Sequence, residues 1–371
     1  MSHTDTVTTI ASRWMGAGGA FVFYREPGAV CCRGCYARNP EKVDDIGELA
    51  GKKGFVFAPF HSGEGQSIWL LPVEEEIEVL ADRIVDGTEK EAPAPVPLVG
   101  KLESVPSTGY AHAFSMFSKA LREGIFQKLV LSRRAEVPCP ARFSWVEAFR
   151  AACRRYVHSY IYLFYAPQTG FWLGATPEIL LKGKHGAFET VALAGTQWLK
   201  NGKLAERWSE KNVREQGCVA DYIGDCLRGQ GIPFSEEGPV TVTAGELAHL
   251  KTVFRFSISA TKVCEVVQAL HPTPAVCGLP KNEAFHFIKE HEGYHREYYS
   301  GFLGTFDPAG ETALYVNLRC MQSVADGASF RLYAGGGLLS SSVLEDEWME
   351  TERKLQTMKY VIAKGTSNGI Y

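Results

Sequence analysis

Gly335-Gly336-Gly337, followed by Glu345-Asp346-Glu347-Trp348-Met349-Glu350-Thr351-Glu352, is the stretch on which the reading of this chain turns. At about 100° per residue, a helix over the acidic segment puts Glu347, Glu350 and Lys354 on one narrow strip. Trp348, Leu355, Met358 and Ile362 form an apolar stripe beside it, with Glu345 and Glu352 beyond the stripe's far edge. Most acidic runs are solvated helix faces. Carboxylates at i, i+3 beside a buried stripe, just past a glycine turn, are instead placed to ligate a hard cation.

A second segment carries the same idea. The spacing over 209–227 predicts a helix with Val219, Tyr222, Ile223 and Cys226 on one face, and Glu215 falls inside that apolar arc. Burying an isolated carboxylate costs on the order of several kcal/mol unless it is protonated, paired or metal-bound. A salt bridge to a distant Arg or Lys satisfies Glu215 alone. Beside Glu350, a shared divalent ion accounts for both, and Mg²⁺ suits one or two carboxylates plus water and an anionic ligand.

With 371 residues, 45% hydrophobic and 22% charged, the chain has ample material for a core in one large domain or two. Its net charge of −3 and lack of a long basic run argue against nucleic acid as a partner. No apolar run approaches the roughly eighteen residues needed to span a bilayer. The polar start, Met1-Ser2-His3-Thr4-Asp5, has no secretory pattern, and ten scattered cysteines suit reduced thiols, so a cytoplasmic protein is expected. Cys31-Cys32-Arg33-Gly34-Cys35 holds one C-x-x-C with no second pair, which favours idle thiols over zinc.

The Pro-rich run Ala92-Pro93-Ala94-Pro95-Val96-Pro97 reads as a linker after a helical pattern over 74–85. It divides an N-terminal portion, 1–100, from a catalytic core, 101–371, within one overall domain. Strands are expected over 126–137, 161–165, 171–173, 178–181, 189–193, 240–243, 253–259, 301–306, 312–321 and 329–334. Helices are expected over 145–155, 209–227 and 261–270, and on the acidic segment. Hairpin-like spacings between strands give largely antiparallel sheets with helices outside, an α+β fold.

Several positions carry chemistry. Lys128 lies in Phe126-Gln127-Lys128-Leu129-Val130-Leu131-Ser132; it either snorkels from an edge strand or, in a closed pocket, becomes a general base through desolvation. Glu178, after Gly174-Ala175-Thr176-Pro177, is a surface acid at a strand entrance or a positioned general acid. Leu193-Ala194-Gly195-Thr196 ends a strand with a kink and a hydroxyl. Arg319 is a guanidinium in an apolar strand and calls for a carboxylate partner. The triple glycine allows close approach of backbone to a ligand, but no phosphate-loop or dinucleotide pattern surrounds it. His249 and His271 are isolated and default to core or loop positions. Together these parts describe acid/base chemistry on a small carboxylated metabolite.

These motifs resemble the chorismate-utilising enzymes, and among them the isochorismate synthases. The resemblance runs in order through Lys128-Leu129-Val130-Leu131-Ser132-Arg133, Gly174-Ala175-Thr176-Pro177-Glu178, Leu193-Ala194-Gly195-Thr196, Ser209-Glu210-Lys211 to Glu215, and Leu270-His271-Pro272-Thr273-Pro274-Ala275-Val276. It continues through Tyr299-Ser300-Gly301, Leu318-Arg319-Cys320, Tyr333-Ala334-Gly335-Gly336-Gly337 and Glu347-Trp348-Met349-Glu350-Thr351. It implies a four-layer α/β/β/α fold, two antiparallel sheets face to face, and a cleft binding chorismate and Mg²⁺. By the same resemblance, Lys128 is the base that activates water for attack at C2 of chorismate, and Glu178 the acid that protonates the departing C4 hydroxyl. Glu215 and Glu350 are the Mg²⁺ ligands, with Glu347 supporting. Tyr299, Arg319, Gly335, Gly337 and Lys354 contact substrate carboxylates, and Thr196 and His249 line the site.

The chain departs from the family where Lys211-Asn212-Val213-Arg214-Glu215-Gln216 replaces the frequent Lys-Asp-Arg-x-Glu-His. Ser342-Val343-Leu344 stands for Ser-Asp-Pro, and Cys277 for a common glycine. Lys128 favours water over ammonia as nucleophile, and Ala194 removes the lysine that aminodeoxychorismate synthases carry before the Gly-Thr kink. An isochorismate synthase of menaquinone biosynthesis, monomeric and without an obligatory protein partner, is therefore expected. The alternatives are a salicylate synthase, or an isochorismate synthase serving a siderophore pathway.

Overall fold

The computed structural model describes residues 5–63, 65–80, 99–198, 207–244, 247–324 and 327–366. Helix α1 (Asp5–Ala17) is followed by strands β1 (Ala20–Arg25), β2 (Cys31–Ala37), β3 (Glu41–Val43), β4 (Gly54–Ala58), β5 (Ile68–Leu71) and β6 (Glu75–Leu80). Then come α2 (Thr108–Arg122), β7 (Lys128–Pro138), α3 (Trp145–Arg155), β8 (Tyr160–Ala166), β9 (Gly170–Thr176), β10 (Ile179–Lys184) and β11 (Ala187–Trp198). Next are α4 (Glu210–Gly229), β12 (Phe234–Ala244), β13 (Leu247–Ser257), α5 (Val263–Leu270), β14 (Gly278–Leu279) and α6 (Lys281–His291). The chain closes with β15 (Phe302–Phe306), β16 (Glu311–Val316), β17 (Cys320–Ser323), β18 (Ser329–Leu338) and α7 (Leu344–Gly365).

The strands form two sheets, in the orders β14-β7-β18-β17-β9-β8-β1-β2-β6 and β12-β13-β11-β10-β16-β15-β4-β5-β3. Every pairing among the described residues is antiparallel. Strands from the first hundred residues enter both sheets. Between the sheets lies a layer of aromatic side chains: Phe57 stacks on Phe164 at 4.1 Å and Tyr160 on Tyr315 at 4.1 Å, each pair joining one sheet to the other. Helices α1, α3 and α7 cover the outer face of the first sheet through Trp14, Phe149, Leu355 and Met358. Helices α4 and α5 cover the second through Val219, Ile223, Val266 and Val267. This is the four-layer α+β arrangement expected. No helix of the described residues is long and apolar enough to cross a membrane.

The helix expected over 74–85 is a strand in its described part. Glu75-Glu76-Ile77-Glu78-Val79 alternates, and pairing with β2 turns Ile77 and Val79 towards the core. The remainder of that pattern and the Pro-rich run lie outside the described residues. The single strand expected over 312–321 is two strands in different sheets, β16 and β17. Asn317 sits at the crossing, where it donates to Tyr298 O at 2.8 Å and accepts from Tyr162 Oη at 2.6 Å. Arg319 follows in the left-handed region, φ 47°. The apolar pattern could not reveal this change of sheet, because both strands are buried.

One buried ion pair fastens the wall of the cleft. Arg296 donates to both oxygens of Glu292 at 2.6 Å, and also to Val276 O and Val130 O. Glu292 Oε1 accepts from the amide of Ser132 at 2.6 Å and its hydroxyl at 2.8 Å. With both side chains at 2% exposure or less, neither charge has water to fall back on. Removing one partner of such a pair leaves the other desolvated and uncompensated, so Glu292→Ala is expected to lower stability by about 3–5 kcal/mol. Urea denaturation measures this, and a loss within experimental error would rule out a fastening role.

Candidate active site

The three glycines occupy the C-terminal half of β18, not a turn: Gly335 pairs with Ser132, Gly336 with Leu131 and Gly337 with Val130 on β7. None of the three has positive φ. Their value is the missing side chain. A Cβ on Gly337 would stand 2.0 Å from Glu215 Oε1 and 2.9 Å from Lys128 Cε. One on Gly335 would stand 2.9 Å from Tyr299 Oη, and one on Gly336 3.2 Å from Glu347 Oε2 and 3.6 Å from Glu350 Oε1.

Helix α7 brings Glu347, Glu350 and Lys354 to this strand on one face, as their spacing requires. Lys354 Nζ lies 2.8 Å from Glu350 Oε1 and donates to Gly335 O at 2.7 Å. Glu352, expected beyond the apolar stripe, is also buried: it pairs with Arg133, whose guanidinium lies 3.8 Å over the Trp348 ring. That partner comes from β7 and leaves no trace in the helix's own sequence. Helix α4, capped by Ser209 accepting from the Asn212 amide at 3.2 Å, delivers Glu215 from its second turn. Gly195 lets α4 approach: φ is +71°, and a Cβ there would strike Asn212 O at 2.8 Å. The expected kink is thus a bulge, and β11 continues through Thr196 to Trp198.

Thr196 and His249 are partners across β11 and β13, with Oγ1 and Nδ1 3.4 Å apart. His249 Nε2 is 3.0 Å from Arg319 Nη2. A guanidinium can only donate, so Nε2 accepts and Nδ1 carries the proton. Burial, then Arg319 and Lys354, hold the His249 pKa well below its usual value, which keeps the ring neutral. Arg319 itself is lowered to about 10 by burial. Its expected carboxylate partner is missing: among the described residues it bonds to neutral His249, leaving its charge available to a ligand.

Glu178 stands between β9 and β10, 4% exposed. Burial raises its pKa to about 7, against the opposing pull of Lys128 and Thr273. Glu178, Thr196, Glu215, His249, Tyr299, Arg319, Gly335, Gly337, Glu350 and Lys354, all singled out from sequence, line one cleft. Lys128 and Glu347 lie just behind it. Lys128 Nζ has no exposure and sits 3.1 Å from Glu215 Oε1, a charge contact that lacks hydrogen-bond geometry. Isolated His271 is a core residue, its pKa lowered to about 3 by burial. All ten cysteines are free thiols.

Sequence reading passed over Lys211 as a site residue, although its first-turn position on α4, one helical turn before Glu215, was a signal. It donates to Glu347 Oε1. Burial and then Glu350 raise the Glu347 pKa to about 7, while for Glu350 burial is outweighed by Lys354, Lys211 and Arg353, which hold it low. Glu347 Oε2 is buried without a hydrogen-bond partner in good geometry. This orphaned oxygen, the side-chain-free strand beneath it and an all-carboxylate donor set fit a hard divalent cation. Among the described residues, however, no three acidic, His or Cys side chains are grouped to hold a metal as they stand.

The fold and the cleft define an enzyme-type site for a small anionic ligand. Residues 69–363 match the chorismate binding enzyme family. The chain is 30% identical over 316 residues to isochorismate synthase DhbC of Bacillus subtilis (strain 168), covering 78% of this chain and 76% of that protein. Its fold is similar to that of a 2,3-dihydroxybenzoate-specific isochorismate synthase, DhbC, from Bacillus anthracis, described as putative in its structure's name: TM-score 0.77, 23% identity, 95% of this chain and 99% of that one. It is also similar to MenF, the menaquinone-specific isochorismate synthase from Escherichia coli: TM-score 0.75, 22% identity, 93% and 89% covered. The chain belongs to the chorismate-binding enzymes.

Gly337→Ala tests the close approach directly. The added methyl must push Glu215 or Lys128 aside, and displacement of about 1 Å at a reacting centre costs around 100-fold. Turnover is expected to fall by at least about that factor with the far-ultraviolet circular dichroism spectrum retained. Wild-type turnover in Gly337→Ala would show that the contact has no part in function.

Proposed function

We propose that the chain is a Mg²⁺-dependent isochorismate synthase, an isomerase acting on chorismate. The observation that carries this reading is Arg319: a half-buried guanidinium whose side-chain hydrogen-bond partner among the described residues is a neutral histidine, in the cleft that also holds Glu215 and Glu350. An anionic ligand completes it. When bound at Glu215 and Glu350, with Glu347 behind them, Mg²⁺ supplies positive charge for the ring carboxylate.

Water attacks C2, the ring double bonds shift, and the C4 hydroxyl leaves as water, so atoms balance and the product is an isomer. Lys128 takes the proton from the attacking water. Glu178, kept protonated towards pH 7 by burial, gives one to the departing hydroxyl. Arg319, Tyr299 and Lys354 hold carboxylate groups of the substrate, while Thr196 and neutral His249 shape the wall. The enzyme acts in the cytoplasm without a protein partner. Likeness to MenF supports menaquinone as destination, and likeness to the DhbC proteins supports a siderophore pathway. Deletion of the gene distinguishes them, by loss of menaquinone or of a catechol siderophore.

Incubation with chorismate and Mg²⁺ is expected to yield isochorismate by chromatography. Salicylate with pyruvate would make the chain a salicylate synthase instead, and no product would overturn the reading. Glu215→Gln and Glu350→Gln should each abolish turnover with the fold intact, and full activity in excess chelator would remove the metal from the mechanism.

Each proton transfer contributes about 10²–10⁴ in rate, so Lys128→Ala and Glu178→Gln are each expected to lose at least that much kcat. Glu178 must be protonated to act, so kcat/KM in the wild type falls as pH rises through about 7. That limb should vanish in Glu178→Gln; its persistence would assign it to another group.

A further inference from the structure

Each of the three carboxylates given to the metal already has a lysine. Lys128 Nζ is 3.1 Å from Glu215 Oε1, Lys354 Nζ is 2.8 Å from Glu350 Oε1, and Lys211 Nζ is bonded to Glu347 Oε1. Two of these lysines are fixed in place. Lys128 is fully buried at the start of β7, and Lys354 is also tied to the Gly335 carbonyl at 2.7 Å. Lys211 is different. It lies in the first turn of α4, its side chain is 29% exposed, and its hydrogen bond among the described residues is to Glu347.

Its ammonium also feels more than Glu347. Glu350 and Glu215 attract it as well as Glu347. A single positive charge therefore stands among the same three carboxylates that a divalent ion would use. Without it, Glu347 and Glu350, one helical turn apart on α7, would face each other with one cation fewer.

We infer that Lys211 is an internal counterion that holds the divalent-cation site while no metal is bound, and that it withdraws to solvent when the metal enters. This rests on the metal reading of Glu215, Glu350 and Glu347 above. An ammonium beside a divalent cation is repelled, and the four-carbon stem of a partly exposed lysine can carry its charge outward without moving the helix. Metal affinity is set by competition with Lys211, so the site binds Mg²⁺ more weakly than its carboxylates alone would.

The test is Mn²⁺ titration of Lys211→Met and Lys211→Gln, followed by electron paramagnetic resonance of the free ion with no substrate present. Removing one competing charge at this range is expected to tighten binding about tenfold or more. The metal-free variants should also melt lower than wild type, with a larger rise on adding Mg²⁺. In wild type, acylation of Lys211 by an amine reagent, read by mass spectrometry, should be faster with Mg²⁺ than with chelator. This arm needs no variant to fold. Unchanged or weaker Mn²⁺ binding in both variants, or acylation indifferent to Mg²⁺, overturns the inference. If wild type binds no Mn²⁺ and turns over without metal, the metal reading itself has failed, and the inference falls with it.

Discussion

The absence of side chains at 335–337 is the constraint on which the site depends. Strand β18 is anchored by β17 through 330–332 and by β7 along its whole length, so the β7 ladder sets the position of the glycines. With its Cβ atoms missing, carboxylates from α4 and α7 reach the strand from two helices that have no other reason to meet there. Any larger residue would separate Glu215 from Lys128 or push Tyr299 from Gly335. The glycines weaken a strand interior by losing packing and entropy, and the long β7–β18 ladder compensates.

Charge is arranged around that strand with little waste. Three glutamates face three lysines, so the site carries no large uncompensated charge at rest. Arg319 is the exception, with a neutral histidine as its companion. Keeping His249 neutral matters here, because a protonated ring could not accept from the guanidinium. Behind this layer, the Glu292–Arg296 pair binds Ser132, the residue opposite Gly335, so the strand bearing Lys128 is held by a second, fully enclosed set of charges.

Much of this was legible because periodicity survives burial on one side only. The helix over 145–155 and the strip Glu347, Glu350, Lys354 follow from spacing, and ten site candidates drawn from eight segments meet in one cleft. The misreadings have a common cause. Glu352 fell outside the apolar stripe, and its burial could not be read there because Arg133 arrives from a strand more than two hundred residues away. The glycines looked like a turn because nothing local distinguishes flexibility from a need for space. The 312–321 run looked continuous because both sheets bury it equally, and the change of sheet is marked only by Asn317 and the left-handed Arg319. The strand over 75–80 looked helical because three glutamates between apolar residues fit either period over so short a span.

The pairing of Lys128 with Glu215 joins binding to chemistry. Lys128 Nζ on β7 stands 3.1 Å from Glu215 Oε1 on α4, so the residues proposed as base and as metal ligand are direct neighbours. Glu215 is also the carboxylate nearest Gly337, turned towards the cleft that takes the ligand. Glu178, by contrast, is governed by burial, which outweighs the pull of Lys128 and raises its pKa to about 7. The fold thus prepares the acid of the proposed mechanism in advance, while the bare Gly337 leaves Glu215 the room it occupies beside Lys128.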